Sequence, residues 1–175
     1  MQMEGQCQIN MDTLNQKPHK TSLDNLFEFE NYIGKEVGLT SWVEMPQEKI
    51  NSFAEVTEDM QWIHIDSKRA EIESPYKKTV AHGFLMLSMI SKIIFDVCHF
   101  SDVKIGINYG LDRVRFPSAT KSGDFYRARV TLVEFQKIKM GAKYKLKVVF
   151  ELKDQDKPAC IAEVLFLAYN SLVYK

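Results

Sequence analysis

Between Gly83 and Val97 the chain carries an apolar segment, Phe84-Leu85-Met86-Leu87, Met89-Ile90, Ile93-Ile94-Phe95 and Val97, interrupted only by Ser88, Ser91, Lys92 and Asp96. On a 3.6-residue period these side chains point in nearly every direction, which predicts a helix surrounded by other structure rather than lying on a surface. A membrane span needs about 18 or more consecutive apolar residues, and Lys92 breaks a run that is already shorter. The segment is therefore expected to be a core element, with no membrane partner. Past it the periodicity changes to two, giving candidate strands over 107–116, 124–136, 142–153 and 158–169. The third is the clearest: Tyr144, Leu146, Val148, Phe150 and Leu152 alternate with Lys143, Lys145, Lys147, Val149 and Glu151, one face buried and one mostly wet. Long antiparallel strands with one apolar face, joined to a helix apolar all round, pack simply if the sheet wraps the helix. An α+β architecture is expected, with the first turn of the helix near an end or edge of the sheet, where a second subunit can complete a pocket.

Upstream, residues 1–20 are polar and lack the apolar core of a secretory leader, so they are expected to form a flexible tail ahead of a single domain over 21–175. Ser22 is a candidate cap for a short helix ending at Gly34, Val37 to Val43 reads as a strand, and Pro46 opens a helix that delivers the chain to Asp59. Ile63-His64-Ile65 reads as extended, Ser67 as the cap of one helical turn through Glu71, and Pro75 with Lys77-Lys78 as an exposed loop. With 23 basic and 23 acidic residues the formal net charge is +0, so no global field recruits nucleic acid or an anionic membrane. Cys7, Cys98 and Cys160 are odd in number and lack metal-binding or redox spacing, which points to a reducing, cytoplasmic setting and to no metal site.

Chemistry concentrates in residues 57–99. Glu58-Asp59 is followed by His64, and after a short loop His82-Gly83 leads into the apolar helix. The first turn of a buried helix presents unpaired N–H groups and partial positive charge, a suitable place for a ligand oxygen that becomes negative, and glycine there lets the ligand approach the backbone. His82 reads as a structural residue holding the helix start.

The run from Phe53 to Ser91, with FAEVTED, then His64 and Asp66, then AHGFLMLSMIS, resembles the MaoC-like dehydratase family, which includes the (R)-specific enoyl-CoA hydratases. NYGLDRVRFPSATKSGD resembles the family's strand and turn ending in Gly-Asp. The resemblance spans roughly 37–168, and Asp59, His64, Gly83 and Ser91 fall in order on positions the family uses. Two departures stand out. Gln61-Trp62 occupies the place where the hydratases usually carry Asn-Pro, as in the branch that resembles nodulation protein N, and Ala119-Thr120 replaces a common Pro-Val.

The resemblance implies a hot-dog fold, a curved antiparallel sheet around a central helix, in a homodimer or dimer of dimers. It also implies hydration and dehydration of an acyl thioester carried on coenzyme A or acyl-carrier protein, with no cofactor. Hydrating a 2-enoyl thioester needs a base for water, a proton for C2 and stabilisation of an enolate-like oxygen. Asp59 is assigned the main base, His64 the positioning of water and part of the proton delivery, and the Gly83 N–H the oxyanion contact. Ser91 is expected near the dyad, with back-bonding to its own helix as the alternative, and Trp62, beside Gln61, as a wall of the acyl pocket. A non-catalytic acyl-thioester-binding module and a hot-dog thioesterase are the rival readings.

Overall fold

The computed structural model describes residues 16–171. The chain enters through strand β1 (His19–Leu23), a 3₁₀ helix (Leu26–Tyr32), β2 (Glu36–Leu39) and the short β3 (Val43–Glu44). Helices α1 (Gln47–Thr57), α2 (Trp62–Ile65) and α3 (Ser67–Glu73) follow, then α4 (Gly83–Ser88) and α5 (Ile90–Val97). β4 (Cys98–Phe100), β5 (Ile105–Arg115), β6 (Phe125–Ile138), β7 (Gly141–Leu152) and β8 (Cys160–Tyr169) complete the described chain. The strands are ordered β4-β1-β2-β6-β7-β8-β5, with β3 paired to β6. All neighbours are antiparallel except β1 and β4.

The four long strands lie where the period-two pattern puts them, and the inward residues of β6, β7 and β8 pack on the helix. Leu85, Met86, Ile90, Ile93, Ile94 and Val97 share one core cluster with Val130, Leu132, Leu146, Val148, Phe150 and Val164. The sheet comes so close that a Cβ on Gly38 would stand 2.3 Å from the Cβ of Val97, so only glycine fits at that point of β2. Among the described residues no helix is long and apolar enough to cross a membrane.

Five local expectations are corrected. The helix proposed from Ser22 is instead a strand from His19, inside the segment expected to be tail, followed by the 3₁₀ helix. That helix is capped by Asn25, whose side chain accepts from the Phe27 N–H at 2.8 Å. Residues 1–15 of the expected tail, and Cys7 with them, lie outside the described residues. His64 sits on the one-turn helix α2, not on an extended segment. α3 is capped by Asp66, whose carboxylate accepts from the Arg69 N–H at 2.9 Å, and not by Ser67. The outer face of β7 is not mostly wet at its end: Glu151 is 3% exposed. It pairs with Arg127 at 2.6 Å and Arg129 at 2.7 Å, while Arg127 lies under Trp42.

The fifth correction concerns the central helix. Ser88 bonds back to the carbonyls of Phe84 and Leu85, and the helix is interrupted at Met89, as expected where a side chain competes with the backbone ladder. The helix is also not surrounded. Phe84 is 71% and Phe95 74% exposed, and with Ser88 and Lys92 they form one uncovered stripe at helical spacing.

Candidate active site

α1 ends at Glu58, a left-handed residue with φ 61° that breaks the helix and turns the chain into Asp59. A non-glycine residue in this region costs free energy and is held there by its surroundings. α2 then carries His64. Its carbonyl accepts from Gln47 Nε2 at 2.7 Å, and the Gln47 side-chain oxygen accepts from Thr79, so one side chain of α1 ties α2 to the segment before the central helix. That segment is pinned on both sides: the Val80 N–H donates to the Ile63 carbonyl at 3.0 Å and the Ala81 N–H to the Thr120 carbonyl at 2.7 Å. His82 follows directly, and Gly83 starts α4.

These connections bring Asp59, His64 and His82 together, with a nitrogen or carboxylate oxygen of each within 4.8 Å of the others. The rings of His64 and His82 stack, centroids 3.7 Å apart and planes inclined by 26°. His64 Nδ1 lies 2.6 Å from the Val80 carbonyl oxygen. A carbonyl only accepts, so Nδ1 carries the proton and Nε2 presents its lone pair. By the same reasoning His82 donates from Nε2 to the Asp59 carbonyl oxygen at 3.1 Å. The Asp59 carboxylate is 3.9 Å from that nitrogen and its side chain is 58% exposed. His82 itself is 3% exposed.

His64 is held below its ordinary value of 6.5. Burial is the main cause; the Val80 hydrogen bond opposes it, the neighbouring His82 adds to it, and Asp59 opposes it. Both its tautomer and its tendency to stay neutral leave Nε2 able to accept a proton.

Gly83 meets the ring of Phe116, which a Cβ at that position would approach to 3.1 Å. Phe53, whose ring centroid is 5.1 Å from that of His82, also lines a cavity of about 280 Å³ with Phe84, Leu87, Ile90, Leu111 and Val164. A mostly apolar cavity, with Ser88 and Asn108 in its wall and Phe53 shared with the surroundings of His82, suits a ligand with a reactive head and a hydrocarbon tail.

The remaining expected site residues are less central. Gln61 is exposed and immediately precedes α2, its carbonyl accepting from the His64 N–H at 2.9 Å. Trp62 is half-buried with the Arg69 guanidinium 4.4 Å over its ring, and it does not line the cavity beside Phe53. Ser91 is half-buried on α5, and no hydrogen bond among the described residues joins it to Asp59 or His64. Sequence reasoning missed Gln47, Phe53 and Phe116. Gln47 and Phe53 lie on the face of α1 that turns toward the site, a clue that the apolar spacing of Ile50, Phe53 and Ala54 offered only in part.

The model of the MaoC like domain matches residues 28–152. This chain belongs to the MaoC-like family. It is 38% identical over 131 residues to 3-hydroxyacyl-thioester dehydratase Z of Mycobacterium tuberculosis, covering 74% of this chain and 86% of that protein. It is 39% identical over 142 residues to nodulation protein N of Rhizobium leguminosarum bv. viciae, covering 79% and 87%. Among solved structures, the unliganded R-hydratase PhaJ1 of Pseudomonas aeruginosa superposes with a TM-score of 0.60 at 22% identity, covering 76% of this chain and 81% of that one. The MaoC-like chain thus has the expected hot-dog fold. Its similarity to nodulation protein N agrees with the branch indicated by Gln61-Trp62.

Proposed function

We propose that the chain is a hydratase/dehydratase that interconverts trans-2-enoyl and (3R)-3-hydroxyacyl thioesters. The observation that carries this reading is the tautomer of His64, whose Nδ1 is held by the Val80 carbonyl so that Nε2 keeps its lone pair, on a residue gathered with Asp59. A water held between the two has an acceptor for each of its hydrogens. Asp59 takes a proton as the water oxygen bonds to C3, and the dyad returns a proton to C2, so one water is added and nothing is oxidised. The negative charge that gathers on the thioester oxygen is met by the Gly83 N–H at the start of the helix; losing one such donor in other enzymes costs about 2.7–4 kcal/mol of barrier. The acyl chain lies along Phe53 and Leu87. The relatives' descriptions as a 3-hydroxyacyl-thioester dehydratase and an R-hydratase support the same class of substrate.

The uncovered stripe supports a homodimer. β5 ends the sheet, with Ile105, Ile107, Tyr109 and Leu111 between 41% and 58% exposed. Phe84 and Leu111 line one cavity, and Phe95 and Ile105 another, so the bare side of the helix runs beside the bare strand. An unpaired apolar edge next to an uncovered helical face is matched by the same surface of a second copy.

Purified protein mixed with crotonyl-CoA or a longer trans-2-enoyl-CoA is expected to bleach the enoyl-thioester absorbance and to yield the 3R alcohol. Binding without bleaching would replace hydration with the acyl-binding reading, and release of free thiol would replace it with thioester hydrolysis.

A further inference from the structure

His82 is enclosed more tightly than a residue that merely begins a helix needs to be. Its ring lies in contact with Phe53 and in a stack with His64. Its Nε2–H reaches the Asp59 backbone, while Nδ1 is buried without a hydrogen-bond partner among the described residues. Leaving a buried nitrogen unpaired is costly, so stability alone does not account for a histidine here. A leucine or phenylalanine would fill the space without that penalty.

We propose that His82 is a positioning residue, whose imidazole fixes the His64 ring by stacking and the Asp59 turn by its Nε2–H, so that the two meet the same water. The proposal rests on the hydratase reading for its consequences in turnover, but its geometric content does not. Among the described residues, the titratable groups facing His64 are His82 and Asp59, and those facing His82 are His64 and Asp59. A cation on either ring would repel one on the other at 3.7 Å. His82 therefore helps His64 to remain a proton acceptor below neutral pH, in line with its lowered affinity for protons.

Two substitutions separate the two contacts. His82→Gln keeps a side-chain N–H but removes the ring, whereas His82→Phe keeps the ring and removes the N–H. With His82→Gln, the acid limb of kcat/KM on crotonyl-CoA and the His64 titration followed by nuclear magnetic resonance should move together to higher pH. With His82→Phe, which also removes the second ionisable ring, the His64 titration should rise as well, and in this variant alone kcat should fall about tenfold or more with KM little changed, as expected for a misplaced Asp59. In the parent protein, the ring nitrogen shifts at pH 8 should show His82 protonated on Nε2 and His64 on Nδ1. That measurement needs neither a variant nor turnover, so it remains decisive if the variants fail to fold or the protein hydrates no enoyl thioester. The opposite tautomer at His82, or folded variants with the parent's His64 titration and pH profile, would overturn the proposal.

Discussion

The imidazoles of His64 and His82 stack at 3.7 Å between centroids, although 17 intervening residues, including all of α3, separate them in the chain. The contact exists because Val80 and Ala81 are pinned between Ile63 and Thr120, which lays the start of the central helix against α2. Burial of His64 in this setting favours its neutral form. The unfolded chain takes up that proton at higher pH than the folded one, so folding stability rises with pH through this range. The melting temperature is expected to fall as pH drops below about 6.5, and His64→Gln should reduce that fall. An equal pH dependence in parent and variant would contradict it.

Gly83→Ala should separate the approach to the backbone from folding. The added methyl would crowd Phe116, a ring 43% exposed and able to swing away, and alanine is the better helix former by roughly 1 kcal/mol. The melting temperature should change little while turnover drops about tenfold or more. Unchanged kinetics would mean that no substrate oxygen comes near the Gly83 N–H.

Phe95→Glu places a charge in the uncovered stripe, away from Asp59 and His64. Sedimentation should find the parent as a dimer or larger and the variant as a monomer, with the monomer folded and poorly active because its pocket is left open. A parent that sediments as a monomer would contradict the dimer reading.

Glu151→Ala removes a carboxylate shared by Arg127 and Arg129 at a position 3% exposed. Breaking such a buried pair costs about 3–5 kcal/mol. Denaturant unfolding should show a loss of that size, whereas a loss of under about 1 kcal/mol would contradict it.

Much of the fold was legible in the sequence because it rests on periodicity. Tyr144 to Leu152 alternates cleanly, and the helix from Gly83 is too apolar to lie outside a core. What periodicity cannot convey is who covers a face. Phe84 and Phe95 read as buried because apolar residues encircle the helix, but this chain leaves them bare, and Glu151 reads as wet because its partners come from another strand. Local segments were misread where short-range capping decides: Asn25 and Asp66 win over Ser22 and Ser67, and one helical turn takes His64 out of the extended state. The pair Asp59 and His64 was legible through its spacing and family resemblance. The stack on His82 was not, because it depends on backbone bonds from Val80 and Ala81 to residues far away in the chain.

The measurement that bears most directly on the proposed chemistry is the enoyl-thioester absorbance with parent and Asp59→Asn protein side by side. Asparagine keeps the shape of the side chain but cannot take a proton, so the variant should fold as the parent does and hydrate crotonyl-CoA or a longer trans-2-enoyl-CoA about 10²- to 10⁴-fold more slowly. A folded Asp59→Asn protein that bleaches the substrate at the parent's rate would contradict the assignment of Asp59 as the base.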